Sequence, residues 1–345
     1  MIKINNRITF SYNKPPIIIA EISGNHGGNK QKFLKLIKYA CLNGADLIKI
    51  QTYEPKDITL NIKNNNFKIK KGLWKNKYLW DLYKKACTPF SWHKEAFNIT
   101  KKYNKILFSS PFSIRAVDFL EKFNVPIYKI ASFEITDYQL ITHIASKKKP
   151  IIISTGMSSL DEIDKAIKII ERYHKKIIIL HCVSNYPTLI KDTNLNRINI
   201  LKKKFKKYMI GISDHTNDIF SCIASVPLGV VAIEKHFNIY KNKSPDAEFS
   251  IDKIKLKNLK EISTDTFSSI KNRLNPKIAK RNIELRRSIF AKKDIEKNEK
   301  ITLKNIISLR PSIGIHSHNI FSIIGMRAKK RINKSSPIFY KNLLK

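Results

Sequence analysis

A closed (β/α)8 barrel followed by a small β-rich domain is the architecture the sequence predicts, and three observations point to it. Short β-branched runs alternate with helix-length segments from residue 17 to about residue 237, the rhythm that a closed barrel of eight parallel strands requires. Gly24, Gly27 and Gly28 in SGNHGG do not fit GxGxxG, the turn that usually announces the alternative, an open doubly wound sheet. Beyond residue 287 the chain changes character and reads as short strands and turns.

The strands are expected at 17–22, 47–51, 106–108, 127–131, 151–154, 177–181, 209–213 and 230–234. Apolar residues at helical spacing fill segments such as 33–40, 116–123, 163–173 and 219–226. One insertion breaks the rhythm: residues 52–90 carry Asn64 to Asn66 and then KGLWKNKYLWDLY, too long for an ordinary loop. It follows the second strand, so it should lie over the carboxyl ends of the strands. The expected domains are a barrel over 1–272, a basic linker over 273–287 and a β-rich tail over 288–345.

Composition excludes some classes. With 42% hydrophobic residues a core can form, so disorder is not the main state. Lysine and arginine number 66 against 27 acids, giving a net charge of +39. Such an excess would suit nucleic acid or an anionic membrane. Yet the lysines lie in short scattered runs (147–149, 202–204, 329–330), and a chain rich in Lys, Asn and Ile with 10 glycines has a compositional bias. A solvated basic surface is the reading adopted, with no nucleic-acid or membrane partner. Cys41, Cys87, Cys182 and Cys222 are widely spaced and lack a CxxC pair, as reduced thiols would be. The polar start, residues 1–13, lacks a signal-peptide core, and the apolar runs are too short to span a bilayer. A cytoplasmic protein is expected.

Chemistry in such a barrel collects at the carboxyl ends of its strands. In chain order those ends offer Glu21; Lys49 and Gln51; Ser109 and Ser110; Lys129, Ser132 and Glu134; Ser154; Ser184, Asn185 and Tyr186; Ser213 and His215; Glu234 and His236. Lys49/Gln51, Ser213/His215 and Glu234/His236 are spaced i, i+2, which puts each pair on one strand face. Two lysines inside a barrel call for an anion, and the serines beside them could help cradle a phosphate and a carboxylate. His215 and His236, from adjacent strands, could ligate one divalent metal. Glu21, Glu134 and Glu234 could bind sugar hydroxyls, serve as acid or base, or balance the lysines. His93, His143, His174, His181, His316 and His318 read as structural or exposed, and His26 stays undecided.

The motifs IIIAEISGNHGG, GADLIKIQTYEP, FSSPF, YKIASFEITD, IISTGMSS, CVSNYPT, IGISDHT and AIEKHF, in that order, resemble the sialic acid synthase family. These enzymes condense phosphoenolpyruvate with an amino sugar. The tail RRSIFAKKDIEKNEKI…LRPSIGI…IIGMRAKKRI resembles the antifreeze-like SAF (β-clip) domain that follows the TIM barrel in that family. The resemblance implies a phosphoenolpyruvate site from Lys49, Gln51, Ser110, Lys129, Ser132, Ser154, Ser184 and Ser213. It implies His215 and His236 as ligands of a divalent ion (Mn2+, Mg2+ or Co2+). Glu21, Glu134, Tyr186, Glu234 and Asp246 would surround the sugar and the reacting centre. Arg310, in LRPSIG, would be delivered to the sugar by the neighbouring subunit of a homodimer.

The segment IKKGLWKNKYLWDLYKKACTPFSWH is similar to the pseudaminic acid synthase branch, which takes a 6-deoxy diacetamido sugar. N-acetylneuraminate or legionaminate synthase is the alternative within the class; a catalytically dead basic binding protein is the alternative outside it. Trp74, Tyr78 and Trp80 are expected to cover the acceptor pocket.

Overall fold

The computed structural model describes residues 1–344 apart from 241–243, 272–277 and 279. Much of the expected linker, residues 273–277 and 279, therefore lies outside the described residues. The chain divides into two compact units, Met1–Lys271 and Asn272–Lys345.

The first unit is a closed barrel of eight parallel strands, β3 to β10: Ile17–Glu21, Leu47–Thr52, Ile106–Pro111, Tyr128–Ile130, Ile151–Ser154, Ile177–Cys182, Met209–Asp214 and Ala232–His236. The last strand pairs with the first, Ala232 opposite Ile17 and His236 opposite Glu21. Its expected position is two residues early, because the run VVAIEKHF becomes apolar before the ladder begins. Nearly every strand residue is buried, since the sheet has the barrel interior on one side and helices on the other. Ile18, Ile48, Ile50, Ile153, Ile179, Ile212 and Ile233 pack toward the helices. Ile19, Leu47, Phe108, Ile152, Ile178 and Met209 fill the lower interior.

Helices follow the strands: α1 Lys30–Leu42, α3 His93–Lys102, α4 Ile114–Glu121, α5 Tyr138–Ser146, α6 Leu160–Glu171, α7 Arg197–Lys204, α8 Phe220–Ser225 and α9 Lys253–Lys271, while α2 (Leu79–Ala86) belongs to the insertion. Their starts are locally encoded. The side chains of Asn29, Ser113 and Asp137 accept N–H bonds three residues on, and Ser159 forms a reciprocal capping box with Glu162. In α6, Ile163, Ala166, Ile167 and Ile170 recur at helical spacing and are buried.

The polar start folds into a two-stranded hairpin, β1 (Ile2–Lys3) and β2 (Thr9–Phe10). Ile2 and Phe10 join the cluster of Ile17, Ile19 and Phe108 and close the amino-terminal floor of the barrel. No described helix is long and apolar enough to cross a membrane.

The second unit is built on short antiparallel pairs, β11 (Ser288–Ala291) with β12 (Ile306–Leu309) and β13 (Arg327–Ala328) with β14 (Leu343–Leu344). Its core is largely isoleucine: Ile289, Ile295, Ile301, Ile306, Ile315, Ile323, Ile332 and Ile338.

One buried histidine makes the barrel acid-sensitive. Nε2 of His93 lies 2.7 Å from Thr52 Oγ1, and its Nδ1 donates to the Pro89 carbonyl at 3.2 Å. Burial pushes its pKa down to about 4 from 6.5, against the opposing pull of the Pro89 and Phe90 carbonyls. Between these values the unfolded chain takes up a proton that the folded chain refuses, so stability is full above pH 6.5 and falls toward pH 4. The loss from this group reaches on the order of 3 kcal/mol by pH 4. Thermal melts from pH 7 to 4.5 should show a shallower fall for His93→Gln than for the wild type. Equal slopes would assign the acid sensitivity to other groups.

Candidate active site

The pocket follows from strand alternation. Residues whose side chains fill the barrel floor recur at i, i+2, and the same faces end in polar groups above it. Thus Leu47 leads to Lys49 and Gln51, Ile152 to Ser154, Met209 to Ser213 and Ala232 to Glu234 and His236. A cavity of about 360 Å³ opens there, lined by Lys49, Gln51, Lys129, Ser132, Glu134, Ser154, Tyr186, Ser213, His215, Glu234, His236 and Asp246 among others. All twelve were expected from the sequence. Glu21, Ser110 and Ser184 do not line the cavity, but two of them touch Lys49: Glu21 Oε2 lies 2.5 Å from its Nζ and Ser110 Oγ 3.4 Å. The Ser184 hydroxyl lies beside Gly156. Arg310 lies in the second unit, in a groove with Arg286, Arg287, His316 and His318.

Two buried ammonium groups dominate the electrostatics. Lys49 is 3% exposed and Lys129 2%. Glu234 Oε1 sits 3.5 Å from Lys49 Nζ and 3.9 Å from Lys129 Nζ, and accepts from Ser213 Oγ at 3.2 Å. Burial opposes ionisation of Glu234, yet Lys129 and Lys49 outweigh it and hold the carboxylate below its usual range. Burial dominates at Glu21 and raises its pKa, with Lys49 pulling the other way. Burial also lifts Glu134 to about 7, and its Oε2 is buried without a hydrogen-bond partner. Lys49 is held charged by Glu21 first and Glu234 second, while burial lowers the pKa of Lys129 against the pull of Glu234, so the pocket offers an anion two buried lysine donors that share their carboxylates.

Beside Lys129 the strand ends form a nest of serines. Lys129 Nζ donates to Ser154 Oγ at 2.7 Å, and the Gly156 N–H donates to Ser132 Oγ at 3.0 Å. Gly156, in STGMSS, was missed in the sequence. A Cβ there would lie 1.9 Å from Ser184 Oγ and 2.9 Å from Ser132 Oγ, so a larger residue would push both hydroxyls aside.

The two histidines meet as expected, with ring centroids 5.4 Å apart. His215 Nδ1 donates to the Val183 carbonyl at 2.9 Å, which leaves Nε2 with a free lone pair. His236 Nδ1 is buried, unpartnered, and 3.8 Å from Asp246 Oδ2. Burial holds His215 down to about 4 and His236 well below its ordinary value, so both rings are neutral at neutral pH. This donor set fits a divalent ion that takes its other ligands from water or substrate. Among the described residues no group of three or more His, Cys, Asp or Glu is placed to hold a metal.

The insertion supplies an apolar wall: Ile58, Ile69, Trp74, Leu79, Leu82, Tyr83 and Ala86. Trp74 Nε1 donates to the Pro245 carbonyl at 2.9 Å and its ring packs on Tyr186. Tyr78 and Trp80 do not line the pocket, which corrects the expectation for them. Helix α2 presents Leu79, Leu82, Tyr83 and Ala86 at i, i+3, i+4 and i+7, so Trp80 falls off that face. His26 is buried and structural: its Nδ1 accepts from Gly28 N–H and Nε2 meets Thr88 Oγ1. His181 bonds the Thr193 carbonyl and His143 pairs with Asp118, both outside this pocket.

The serine nest yields a direct test. Gly156→Ala should weaken binding of inorganic phosphate by about tenfold or more, ~1.4 kcal/mol, with the melting temperature nearly unchanged. Titration calorimetry showing wild-type affinity would count against an anion cradle at this position.

A family model described as the NeuB family matches residues 36–274, and one described as the SAF domain matches residues 286–344. The pseudaminic acid synthase of Campylobacter jejuni is 40% identical, covering 94% of this chain and 95% of that protein. The N,N'-diacetyllegionaminic acid synthase of the same organism is 35% identical over 94% of this chain and 99% of its own length. A crystal structure of N-acetylneuraminic acid synthetase from Leptospira borgpetersenii, in complex with citrate, superposes with a TM-score of 0.71 at 29% identity, covering 80% of this chain and 92% of that one. The resemblance carried by the strand-end motifs is therefore one of descent, and the chain belongs to the NeuB family, with a SAF domain after its barrel.

Proposed function

We propose that this chain is a pseudaminic acid synthase, a transferase joining phosphoenolpyruvate, water and 2,4-diacetamido-2,4,6-trideoxy-β-L-altropyranose into pseudaminic acid and phosphate. The observation that carries the reading is 40% identity to a protein of that activity across nearly the whole chain. The pocket chemistry supports it. Phosphoenolpyruvate is a small polyanion, and Lys49 and Lys129 present buried N–H donors beside Gln51, Ser110, Ser132, Ser154, Ser184 and Ser213. The apolar wall around Trp74 suits an acceptor with a methyl group and two acetamido groups. Lower identity to the diacetyllegionaminic acid synthase argues for the altrose-configured acceptor.

In this proposal the lysines and serines hold the phosphate and carboxylate so that carbon three of phosphoenolpyruvate faces the acceptor's open-chain aldehyde. Bound by His215 and His236, a divalent ion (Mn2+, Mg2+ or Co2+) would supply Lewis-acid polarisation of that aldehyde. As the carbon–carbon bond forms, carbon two becomes cationic, and the ionised Glu234 stabilises it electrostatically. Water adds at carbon two and yields a proton to Glu234. Glu134, which burial leaves partly protonated near neutral pH, gives a proton to the oxygen of the former aldehyde. The tetrahedral intermediate then collapses to the C2 ketone, its hydroxyl proton passing to the phosphate released by C–O cleavage. Glu21 fixes Lys49, while Tyr186 and Asp246 border the sugar.

A phosphate-release assay with phosphoenolpyruvate and a divalent ion tests the substrate. The diacetamido deoxy sugar should give kcat/KM at least about tenfold above that of N-acetylmannosamine, a difference of ~1.4 kcal/mol in transition-state binding. The reverse order would overturn the assignment in favour of N-acetylneuraminate synthesis.

The proposal includes a cytoplasmic two-fold homodimer in which Arg310 of the partner subunit reaches the sugar. Arg310→Ala and Lys129→Ala chains, each inactive alone, should regain about a quarter of wild-type activity when mixed equally with random pairing. No recovery in verified mixed dimers would exclude sharing between subunits.

A further inference from the structure

The faces of β9 and β10 that point away from the pocket carry Ile210, Ile212 and Ile233, all buried against the helices. The same alternation brings Asp214 and Lys235 next on that face, and the two are direct partners across the ladder. Lys235 has no exposed surface and Asp214 almost none. Neither residue lines the cavity.

Every arm of this pair is occupied. Lys235 Nζ contacts the Asp214 carboxylate, the Thr216 carbonyl at 2.5 Å and Thr216 Oγ1 at 3.2 Å. Asp214 also accepts from Ser221 Oγ and Thr216 Oγ1, each at 2.7 Å, and meets Cys222 Sγ at 3.5 Å. Burial opposes the Asp214 charge, and Lys235 with these donors more than offsets it, holding the carboxyl below its ordinary range.

A buried ion pair offers little or no net stability over a well-packed apolar pair, so its value must lie elsewhere. Its connections point to one place. Asp214 and Thr216 flank His215, and Lys235 immediately precedes His236. One ammonium group therefore grips the chain on both sides of the first histidine and is itself the neighbour of the second. The hydroxyl of Ser221 anchors the assembly to α8.

We propose that Asp214, Lys235 and Thr216 form a positioning clamp that fixes the spacing of His215 and His236 and thereby sets the affinity of the site for a divalent ion. This rests on the reading of the two histidines as a metal site. Groups that orient metal ligands without touching the metal are typically worth 10- to 100-fold in affinity. The clamp acts on the backbone that carries the ligands, where a small twist of either strand would separate the two ring nitrogens.

The test is Mn2+ binding to the full chain without substrate, by calorimetry or by loss of the free-ion paramagnetic resonance signal. The paired replacement Asp214→Leu with Lys235→Met removes both charges together, so no lone buried charge remains. It should raise the Kd for Mn2+ about 10- to 100-fold while leaving phosphoenolpyruvate affinity near wild type. The activity lost should return at high Mn2+, as an effect on metal KM rather than kcat. Should the paired variant not fold, Thr216→Val removes one oxygen at constant shape and should weaken Mn2+ binding about fivefold. His236→Ala serves as control and should abolish binding. Wild-type Mn2+ affinity in the folded paired variant, or in Thr216→Val where that is the variant used, overturns the clamp alone. Failure of the wild type to bind Mn2+, or undiminished binding by His236→Ala, overturns the metal reading and the clamp with it.

Discussion

The contact on which the barrel mouth depends is the triangle of Glu234, Lys49 and Lys129. Two ammonium groups buried among strand ends could not remain charged without a carboxylate within about 4 Å, because desolvation would favour their neutral forms. Glu234 supplies that charge to both. Glu21 lies closer still to Lys49 and does more than Glu234 to keep it charged, so Glu234 is the carboxylate that ties Lys129 into the same network.

Around that triangle the chain divides labour by strand face. Inward positions carry the polar groups that can meet a ligand, and most outward positions carry isoleucine that packs the helices. Asp214 and Lys235 break the outward rule, as do Thr52 and Ser109, which bond each other at 2.6 Å with His93 beside them. In both cases polar groups on the hidden face brace the strand segment whose opposite face ends in the pocket.

Much of this was legible in the sequence. The eight strand positions follow from β-branched runs, and the i, i+2 spacing of Ser213/His215 and Glu234/His236 gives the shared face directly. The parts that stayed hidden have physical causes. The hairpin of residues 2–10 does alternate, with Ile2, Ile4, Ile8 and Phe10 on the barrel floor, but each strand is two residues long and the polar turn between them masks the period. Gly156 matters through what surrounds it, two serines from distant loops, which local sequence does not display. Trp80 was misplaced because helix phase, and not aromatic character, decides which side chains face the cavity. Asp214 and Lys235 did leave a signal: alternation alone places both on a face where an unpaired charge would be untenable, so each implied the other.

The seam of the barrel lies between β3 and β10, the first and last of its strands to leave the ribosome. Lys49 and Lys129 are synthesised long before Glu234, the carboxylate they share. A nascent chain lacking β10 therefore has an open sheet edge and lacks that shared counter-charge. Closure of the sheet and assembly of the charged triangle must then be a single event, and a truncated chain ending before residue 232 would lack a wall and a counter-charge together. Completeness of the barrel is in this way built into the electrostatics of its mouth.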